Sequence, residues 1–334
     1  MRGGAARFAL PALALLLAQA TAAFAAAPVP QQLAIATGSV TGIYYQIGAA
    51  ICRLLRDHPP GQPVDCRTEG TAGSLQNLTI VAEAGAALGL AQADNLHDAA
   101  TGTGAFAGRA PDRRLRALFS PVVEPLLVLT RASHSVPQIA DLRGRRVSIG
   151  AQASGSEATF RQMMAARGWG LGDFSQIVDI RASLQARALC AGKVDAIAFV
   201  AANPVPVMQE ATFACAARFV PVEDAFARMM VARHPYYVAA EVPGALYPNN
   251  PEPTPTIGVH GVVIANADAS EELVYAVTRA VFAHLREFRT LHLAFADVTA
   301  EAMLDPCLFA PVHPGAARYY REAGLRPPRA CLDS

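Results

Sequence analysis

The spacing of hydrophobic residues along this chain changes repeatedly, between the alternation typical of strands and the spacing typical of helices. These changes predict a series of strands and helices. The first change lies in residues 33–48. An alternating apolar stretch indicates a short buried strand, and Ile43, Ile47 and Ile51 then recur at helical spacing. The Gly/Ser/Thr loop between strand and helix leaves the first helical amides unpaired, which makes a natural anion site. The alternative is an ordinary turn with Thr41 as the helix N-cap.

Further strand–loop–helix units follow in the first half of the chain. Residues 64–67 and 88–91 are typical of strands, and a helix is expected between them, after the loop 69–74. This order predicts parallel βαβ units, in which ligands lie beyond the carboxyl ends of the strands. That edge of the sheet would hold Gly38, Thr41, Tyr44, Gly73, Ser74, Gln92 and Asp94. The glycines match neither a Rossmann nor a P-loop fingerprint.

A second loop–helix unit lies in the middle of the chain. Residues 146–149 predict a strand and 156–166 a helix, with Ser154, Gly155 and Ser156 at the cap and Thr159 in the first turn. Ser156 and Thr159 could satisfy this helix themselves. Two such units nevertheless suggest two anion sites around one ligand, with Asn203 approaching from a later helix that Pro204 would begin.

Longer apolar runs connect the two halves. Residues 115–130 indicate extended chain that leaves the first lobe, and the apolar strand 257–265 would return to it after the Pro/Asn-rich loop 242–255. Residues 268–271 resemble a capping box, followed by a helical stripe up to Phe288. We therefore expect an α/β fold with two lobes. Residues 27–125 and 256–334 would form lobe 1, and residues 126–255 lobe 2.

The N-terminus predicts export. Arg2 and Arg7 precede the apolar run 8–17, and two A-x-A cleavage sites follow at 23–25 and 25–27. Residues 1–26 are thus expected to be a signal peptide, and the mature chain a soluble periplasmic monomer. A formal net charge of +1 argues against a nucleic-acid partner.

Six cysteines, at positions 52, 66, 190, 215, 307 and 331, favour disulfides in an exported chain. Their order suggests the local pairs Cys52–Cys66, Cys190–Cys215 and Cys307–Cys331, although 15 connectivities are possible and buried free thiols are the alternative. No spacing of cysteine and histidine indicates zinc, so neither a metal nor a cofactor is expected.

Four passages, in order, resemble the TAXI branch of the solute receptors of TRAP transporters. They are ATGSVTGIYYQIGAAI, LRGRRVSIGAQASGSEAT, LCAGKVDAIAFVAANPVP and VHPGAARYYREAGL. The resemblance implies an α/β fold of the type II periplasmic-binding-protein kind, with two lobes joined by a hinge and a ligand in the cleft between them. It also implies delivery to TRAP permease membrane subunits, commonly driven by sodium, and a small carboxylate ligand such as glutamate or 2-oxoglutarate.

Two other functions are open at this point. A periplasmic sensor or scavenging protein would bind its ligand without a permease. An enzyme on this fold is disfavoured, because the chain has no G-x-S-x-G and no H-E-x-x-H. Among the arginines, Arg67 and Arg161 are nearest to the predicted loops, and each is expected to be a surface or ion-pair residue.

Overall fold

The computed structural model of the protein describes residues 30–84, 88–134 and 136–331. The predicted signal peptide lies outside these residues. No helix of the described part is long and apolar enough to cross a membrane.

The described residues form ten strands and eleven helices. The strands are β1 (Gln31–Ala36), β2 (Val64–Glu69), β3 (Leu88–Gln92), β4 (Leu115–Thr130), β5 (Arg146–Ser148), β6 (Gln176–Ile177), β7 (Ala196–Val200), β8 (Arg218–Phe219), β9 (Tyr237–Val242) and β10 (Thr254–Asn266). The helices are α1 (Ile43–Asp57), α2 (Ser74–Ala84), α3 (Ala93–Thr101), α4 (Gly155–Ala166), α5 (Ala182–Cys190), α6 (Pro206–Cys215), α7 (Asp224–Arg233), α8 (Glu271–Ala283), α9 (Leu285–Phe288), α10 (Ala300–Leu304) and α11 (Pro314–Glu322).

The strands build two parallel groups that two long antiparallel strands connect. The order is β2-β1-β3-β10-β4-β7-β5-β6, with β9 on β10 and β8 on β4. Strand β4 pairs with β10 up to Pro125 and with β7 from Leu126 onwards. One strand therefore belongs to both halves, as in the two-lobed α/β fold of type II periplasmic binding proteins. We call the half with β1, β2 and β3 the first lobe and the half with β5, β6 and β7 the second lobe.

Helix α1 shows how the sequence positions the first lobe. Its apolar residues at four-residue spacing, Ile43, Ile47 and Ile51, are all buried and belong to one core with Leu33 of β1 and Val277 of α8. Each such side chain contributes about 1.5–3 kcal/mol when fully buried. This packing fixes the direction of α1, so that its first turn points at the edge where β1 ends.

Three helix starts differ from the prediction. Gly42, not Thr41, is the N-cap of α1, and Ser270, not Asp268, caps α8 by accepting the amide of Leu273. The helix expected from Pro204 begins at Pro206 instead. Because the chain contains proline at both positions, either could occupy the first helical turn, and sequence spacing alone does not choose between them.

Two further elements, β9 and α9, were not predicted from the hydrophobic pattern of the sequence. Strand β9 was not predicted; it pairs with β10 from Tyr237 to Val242. The predicted apolar stripe beyond Ala283 belongs to the separate short helix α9, since His284 interrupts α8.

All six cysteines are paired. The bonds join Cys52 to Cys66, Cys190 to Cys215 and Cys307 to Cys331, with Cα–Cα distances of 5.1, 5.4 and 5.4 Å. These are the three pairs that the order of the cysteines suggests. Each bond closes a short stretch of chain: the first fastens α1 to β2, and the second fastens α5 to α6.

Candidate ligand-binding site

A cavity of about 540 Å³ lies between the two lobes. That volume is within the range of sites for small organic ligands. The first lobe contributes the loops that follow β1 and β2, together with Gln92 and Glu124, and the second lobe contributes the loops around residues 151–156 and 179–183 and the end of β7. Both lobes thus form the walls, and a ligand inside would contact both.

Four helix N-termini face this cavity. The first residues of α1, α2, α4 and α5 are all among its lining. A helix N-terminus carries a partial positive charge and unpaired amides, so four of them together form a cavity suited to an anion.

The four N-termini differ in how far the protein already satisfies their amides. In α4, the Ser154 hydroxyl accepts the amide of Glu157 at 3.2 Å, and the Glu157 carboxylate accepts the amide of Ala153 at 2.9 Å. The loop before α2 is also bonded, because the side chains of Gln76 and Thr71 accept its amides. By contrast, the caps of α1 and α5, Gly42 and Arg181, accept no amide through their side chains. The bonded amides before α2 are those of Ala72 and Gly73, which precede its first turn, and Gly73 has no side chain to cap it. Uncapped N-termini therefore face the cavity from both lobes, and α1 and α5 are one such pair.

The α4 loop touches the first lobe. A Cβ placed on Gly155 would lie 1.6 Å from Oε1 of Gln92 and 2.5 Å from the hydroxyl of Ser74. On the facing side, Gly73 has a φ of +124° and lies against the Gly155 amide nitrogen and Ser154. Gly155 permits this close approach because it has no side chain, whereas Gly73 is favoured by its positive φ. The contact closes one side of the cavity.

Glu124 and Tyr44 form the acidic part of the wall. The Tyr44 hydroxyl donates to Oε2 of Glu124 at 2.6 Å, and the glutamate is only 3% exposed. Burial raises the pKa of the Glu124 carboxyl from 4.5 to about 8, and the nearby Asp94 carboxyl adds to the rise. Burial and Glu124 also raise the pKa of Tyr44 well above its usual value. No cationic group contributes to the environment of Glu124, so this carboxyl lacks a counter-charge within the described protein.

Arg181 and Asp179 are the charged residues of the second lobe at this cavity. Arg181 precedes the uncapped α5 and is the lone arginine or lysine among the described lining residues. The two arginines considered from sequence lie elsewhere: Arg67 pairs with Glu69 at 3.1 Å and Arg161 with Glu157 at 2.9 Å. Those two are ion-pair residues, as expected.

Of the twelve residues predicted to bind ligand, eight line the cavity. They are Gly38, Tyr44, Gly73, Ser74, Gln92, Ser154, Gly155 and Ser156. Gln92 is almost fully buried, and its side-chain nitrogen is among the buried polar atoms without a protein partner. That nitrogen is a donor available to a ligand. Ser156 is less available, since its hydroxyl accepts the Val200 amide at 3.0 Å.

The other four predicted residues have different partners. Thr41 borders a separate, smaller cavity and shares a hydrogen bond with Ser39. Asn203 accepts the Tyr247 hydroxyl at 2.6 Å and caps no helix. Asp94 and Thr159 are bonded to each other across the lobes, from the Thr159 hydroxyl to Oδ2 of Asp94 at 2.6 Å.

Asp94 belongs to a buried network that joins α3 and α4. Tyr237 donates to its Oδ2 at 3.2 Å, and burial raises the pKa of its carboxyl from 3.8 to about 6. On the next turn of α3, Asp98 accepts the side-chain amide of Gln162 at 2.9 Å. These contacts hold the two lobes together beside the cavity rather than inside it.

Sequence reasoning missed Glu124 and Arg181. Glu124 is the one acidic residue in the apolar run 115–130, between Pro121 and Pro125, and a lone acid in a buried strand is a usable signal. Arg181 gave no comparable signal, because it lies before α5 in a stretch for which the hydrophobic pattern predicted no element.

The described residues that line the cavity include no serine–histidine or cysteine–histidine pair. Several serines line it, but none of the described lining residues is a histidine or cysteine, so no serine has a neighbouring imidazole base. Its amides, hydroxyls and charges are instead the means to bind and orient a small polar molecule.

A two-lobed α/β protein with a cavity between its lobes has the fold of the type II periplasmic binding proteins, and comparison with known proteins agrees. The chain belongs to the NMT1-like family, whose model matches residues 35–324.

Three solved structures share the fold. A protein from Bordetella bronchiseptica RB50 is 14% identical, with 88% of this chain and 98% of that one covered and a TM-score of 0.52. MatC from Rhodopseudomonas palustris, solved with bound malate, is 16% identical (80% and 89% covered, TM-score 0.51). A structure described as a periplasmic transporter is 13% identical (88% and 93%, TM-score 0.50). At these identities the likeness concerns the fold.

Proposed function

We propose that this protein is an extracytoplasmic solute receptor that binds a small carboxylate between its lobes and delivers it to a TRAP membrane permease. The observation that carries the proposal is the pair of uncapped helix N-termini, one from each lobe, at a single cavity with Arg181 beside it. The protein performs no chemistry on the ligand in this account.

The ligand's carboxylate would lie at the N-termini of α1 and α5. Amides there have no side-chain cap to displace, and Arg181 supplies a formal positive charge next to them. Hydrogen bonds with a charged partner are about twice as strong as neutral ones. The free side-chain nitrogen of Gln92 can add a further donor from the first lobe.

Glu124 indicates a second charge on the ligand. A buried carboxyl without a cationic partner is costly when ionised, and a ligand ammonium group would remove that cost. Tyr44 already donates one hydrogen bond to the same carboxyl and fixes its position. We therefore favour an amino acid, which carries both an ammonium and a carboxylate, over a plain organic acid.

A ligand that bridges the lobes would also drive their closure. Donors from α1 and α5 meet one carboxylate only when the lobes are close, so such a ligand binds the closed form better. The extent of each lobe remains as proposed from sequence, residues 27–125 with 256–334 and residues 126–255, and the crossing of β4 between Pro125 and Leu126 supports that division.

The four passages that resemble TAXI receptors support coupling to a TRAP permease, and three disulfides fit an oxidising compartment such as the periplasm. MatC, of the same fold class, was solved with a carboxylate, malate. A membrane permease encoded next to the gene would agree with transport, whereas a sensor kinase there would favour the signalling alternative.

The decisive test is a matched pair of ligands. Thermal-shift screening of amino acids and organic acids identifies binders, since a ligand specific to the folded state raises the melting temperature. Calorimetry then compares glutamate with 2-oxoglutarate, which differ at the α-carbon by an ammonium or a keto group, or compares any other hit with its oxo-acid.

We expect the amino acid to bind about tenfold or more tightly than its oxo-acid, equivalent to about 1.4 kcal/mol. Glu124→Gln should abolish that preference, while Glu69→Gln, an exposed acid paired with Arg67, should keep it. If the amino acid and its oxo-acid bind equally well, the ligand ammonium does not pair with Glu124, but the proposal of a carboxylate receptor still holds. Absence of any binder in the panel would refute the carboxylate receptor itself.

A further inference from the structure

A cluster of metal-binding side chains lies in the first lobe, away from the ligand cavity. His58, His284 and Glu287 each place a potential ligand atom within 4.8 Å of the other two. The two histidines border a cavity of about 560 Å³ that shares no lining residue with the interlobe site. Nothing in the proposed receptor function accounts for this cluster.

The cluster joins two distant parts of the chain. Nε2 of His58 lies 2.7 Å from Oε2 of Glu287, 229 residues later. The rings of His58 and His284 stack with centroids 3.5 Å apart and an angle of 6° between their planes. An ion pair of His58 with Glu287 would explain two of these residues but does not require a second imidazole stacked on the first.

The local electrostatics favour a cation. His58 is the C-cap of α1 and His284 is the C-cap of α8, so the C-terminal ends of two helices meet here. Helix C-termini carry a partial negative charge, and Glu287 adds a formal one. Arg279 borders the same cavity and opposes this effect.

We propose that His58, His284 and Glu287 bind a divalent transition metal of the Zn²⁺ type. Two imidazole nitrogens and one carboxylate oxygen are a known zinc donor set, whereas Ca²⁺ and Mg²⁺ prefer oxygen ligands alone. In a tetrahedral site the donor atoms lie about 3.3 Å apart. All three side chains are partly exposed. Metal binding would require the stacked imidazole rings to rotate so that their nitrogens converge on the ion. The bound metal would connect the end of α1 to the α8–α9 junction.

The test is calorimetric titration of tag-free protein with Zn²⁺. We expect one zinc per chain, and about tenfold or more weaker binding in His284→Ala and in Glu287→Gln, a loss of about 1.4 kcal/mol or more. Glu287→Gln is the sharper variant because glutamine keeps a hydrogen-bond partner for His58. His292→Ala, a histidine outside the cluster, should bind zinc as the wild type does, and Arg279→Gln should bind it more tightly.

Two further readouts separate metal binding from a structural role. Zinc should raise the melting temperature of the wild type but not of His284→Ala, and Mg²⁺ and Ca²⁺ should leave both unchanged. Co²⁺ should give the visible absorption of a low-symmetry site, lost in Glu287→Gln. The proposal is overturned if the wild type does not bind zinc, or if both cluster variants bind it with wild-type affinity.

Discussion

Helix α1 of the first lobe and helix α4 of the second face the same cavity from opposite sides, each after a strand and a small-residue loop. Their amides are satisfied differently. Ser154 and Glu157 cap α4 from within, and the Ser156 hydroxyl is occupied by the Val200 amide. Gly42 gives α1 no such cap. No amide in the first turn of α1 is therefore bound by a side-chain cap, whereas the Glu157 amide of α4 is already bonded.

The difference assigns separate tasks to the two loops. Gly155 of the α4 loop lies against Gln92 and Ser74, and so shapes the cavity by close approach. In the second lobe the uncapped helix at this cavity is α5, next to Arg181. We infer that α1 and α5 hold the ligand and that α4 closes the wall.

The largest expected effect comes from Gly155→Leu. A side chain there would collide with Gln92 Oε1, 1.6 Å from the Cβ position, so the lobes could not meet and ligand binding should be lost in calorimetry. The matched control is Gly172→Leu, because that glycine has no neighbour within 4 Å of its Cβ position. Wild-type affinity in a folded Gly155→Leu protein would show that the close contact plays no part in binding.

Arg181→Gln comes next. It removes the formal charge at the uncapped α5 and should weaken binding of the carboxylate about tenfold or more, as expected for a hydrogen bond to a charged group. Arg161→Gln, whose arginine pairs with Glu157 on α4, is the control and should bind normally. If the two variants bind alike, α5 has no special role relative to α4.

The pH dependence of stability tests the environment of Glu124. Its folded pKa, about 8, lies above its ordinary value of 4.5, so the folded state binds a proton that the unfolded state has lost between these limits. The contribution of Glu124 to the stability of the ligand-free protein should therefore fall as pH rises from 4.5 to about 8. Asp94 adds to the same trend between 3.8 and about 6.

Glu124→Gln should make this decline shallower in thermal or urea unfolding, mainly above pH 6, where Asp94 no longer contributes. Glu69→Gln serves again as the control. If the stability of Glu124→Gln falls with pH as steeply as that of the wild type, the Glu124 carboxyl of the wild type ionises as an exposed carboxyl does.

Ser156→Ala should have the smallest effect on ligand affinity. Its hydroxyl accepts the Val200 amide, so the variant should lose about 1 kcal/mol of folding stability from that unmade bond and little affinity. Calorimetry and urea unfolding together decide this. A tenfold loss of affinity without loss of stability would mean that the Ser156 hydroxyl binds the ligand, as the sequence predicted.

Much of this arrangement follows from local pattern. Helix α1 and the α4 cap are set by apolar spacing and by Ser154, signals that lie within a few residues of each other. The cavity walls at Gly73 and Gly155 were also predictable, because small residues at a strand–helix junction indicate that the backbone lies close to another group.

What was not predictable depends on distant residues. Asp94 looked like a ligand residue, but Thr159 and Tyr237, 65 and 143 residues later, bond its carboxyl. Glu124 becomes important only because Tyr44 lies 2.6 Å away across 80 residues of sequence. Such partners depend on how the lobes pack, and the local spacing of hydrophobic residues carries no information about that packing.

The most direct test is a crystal structure with the amino acid that the thermal-shift screen identifies. The account predicts a ligand carboxylate at hydrogen-bond distance, about 2.7–3.2 Å, from amides in the first turns of α1 and α5, with Arg181 beside it. The ligand ammonium should lie on Glu124. A carboxylate held by the first turn of α4 instead, or a ligand outside the interlobe cavity, would contradict the assignment of roles to the two lobes.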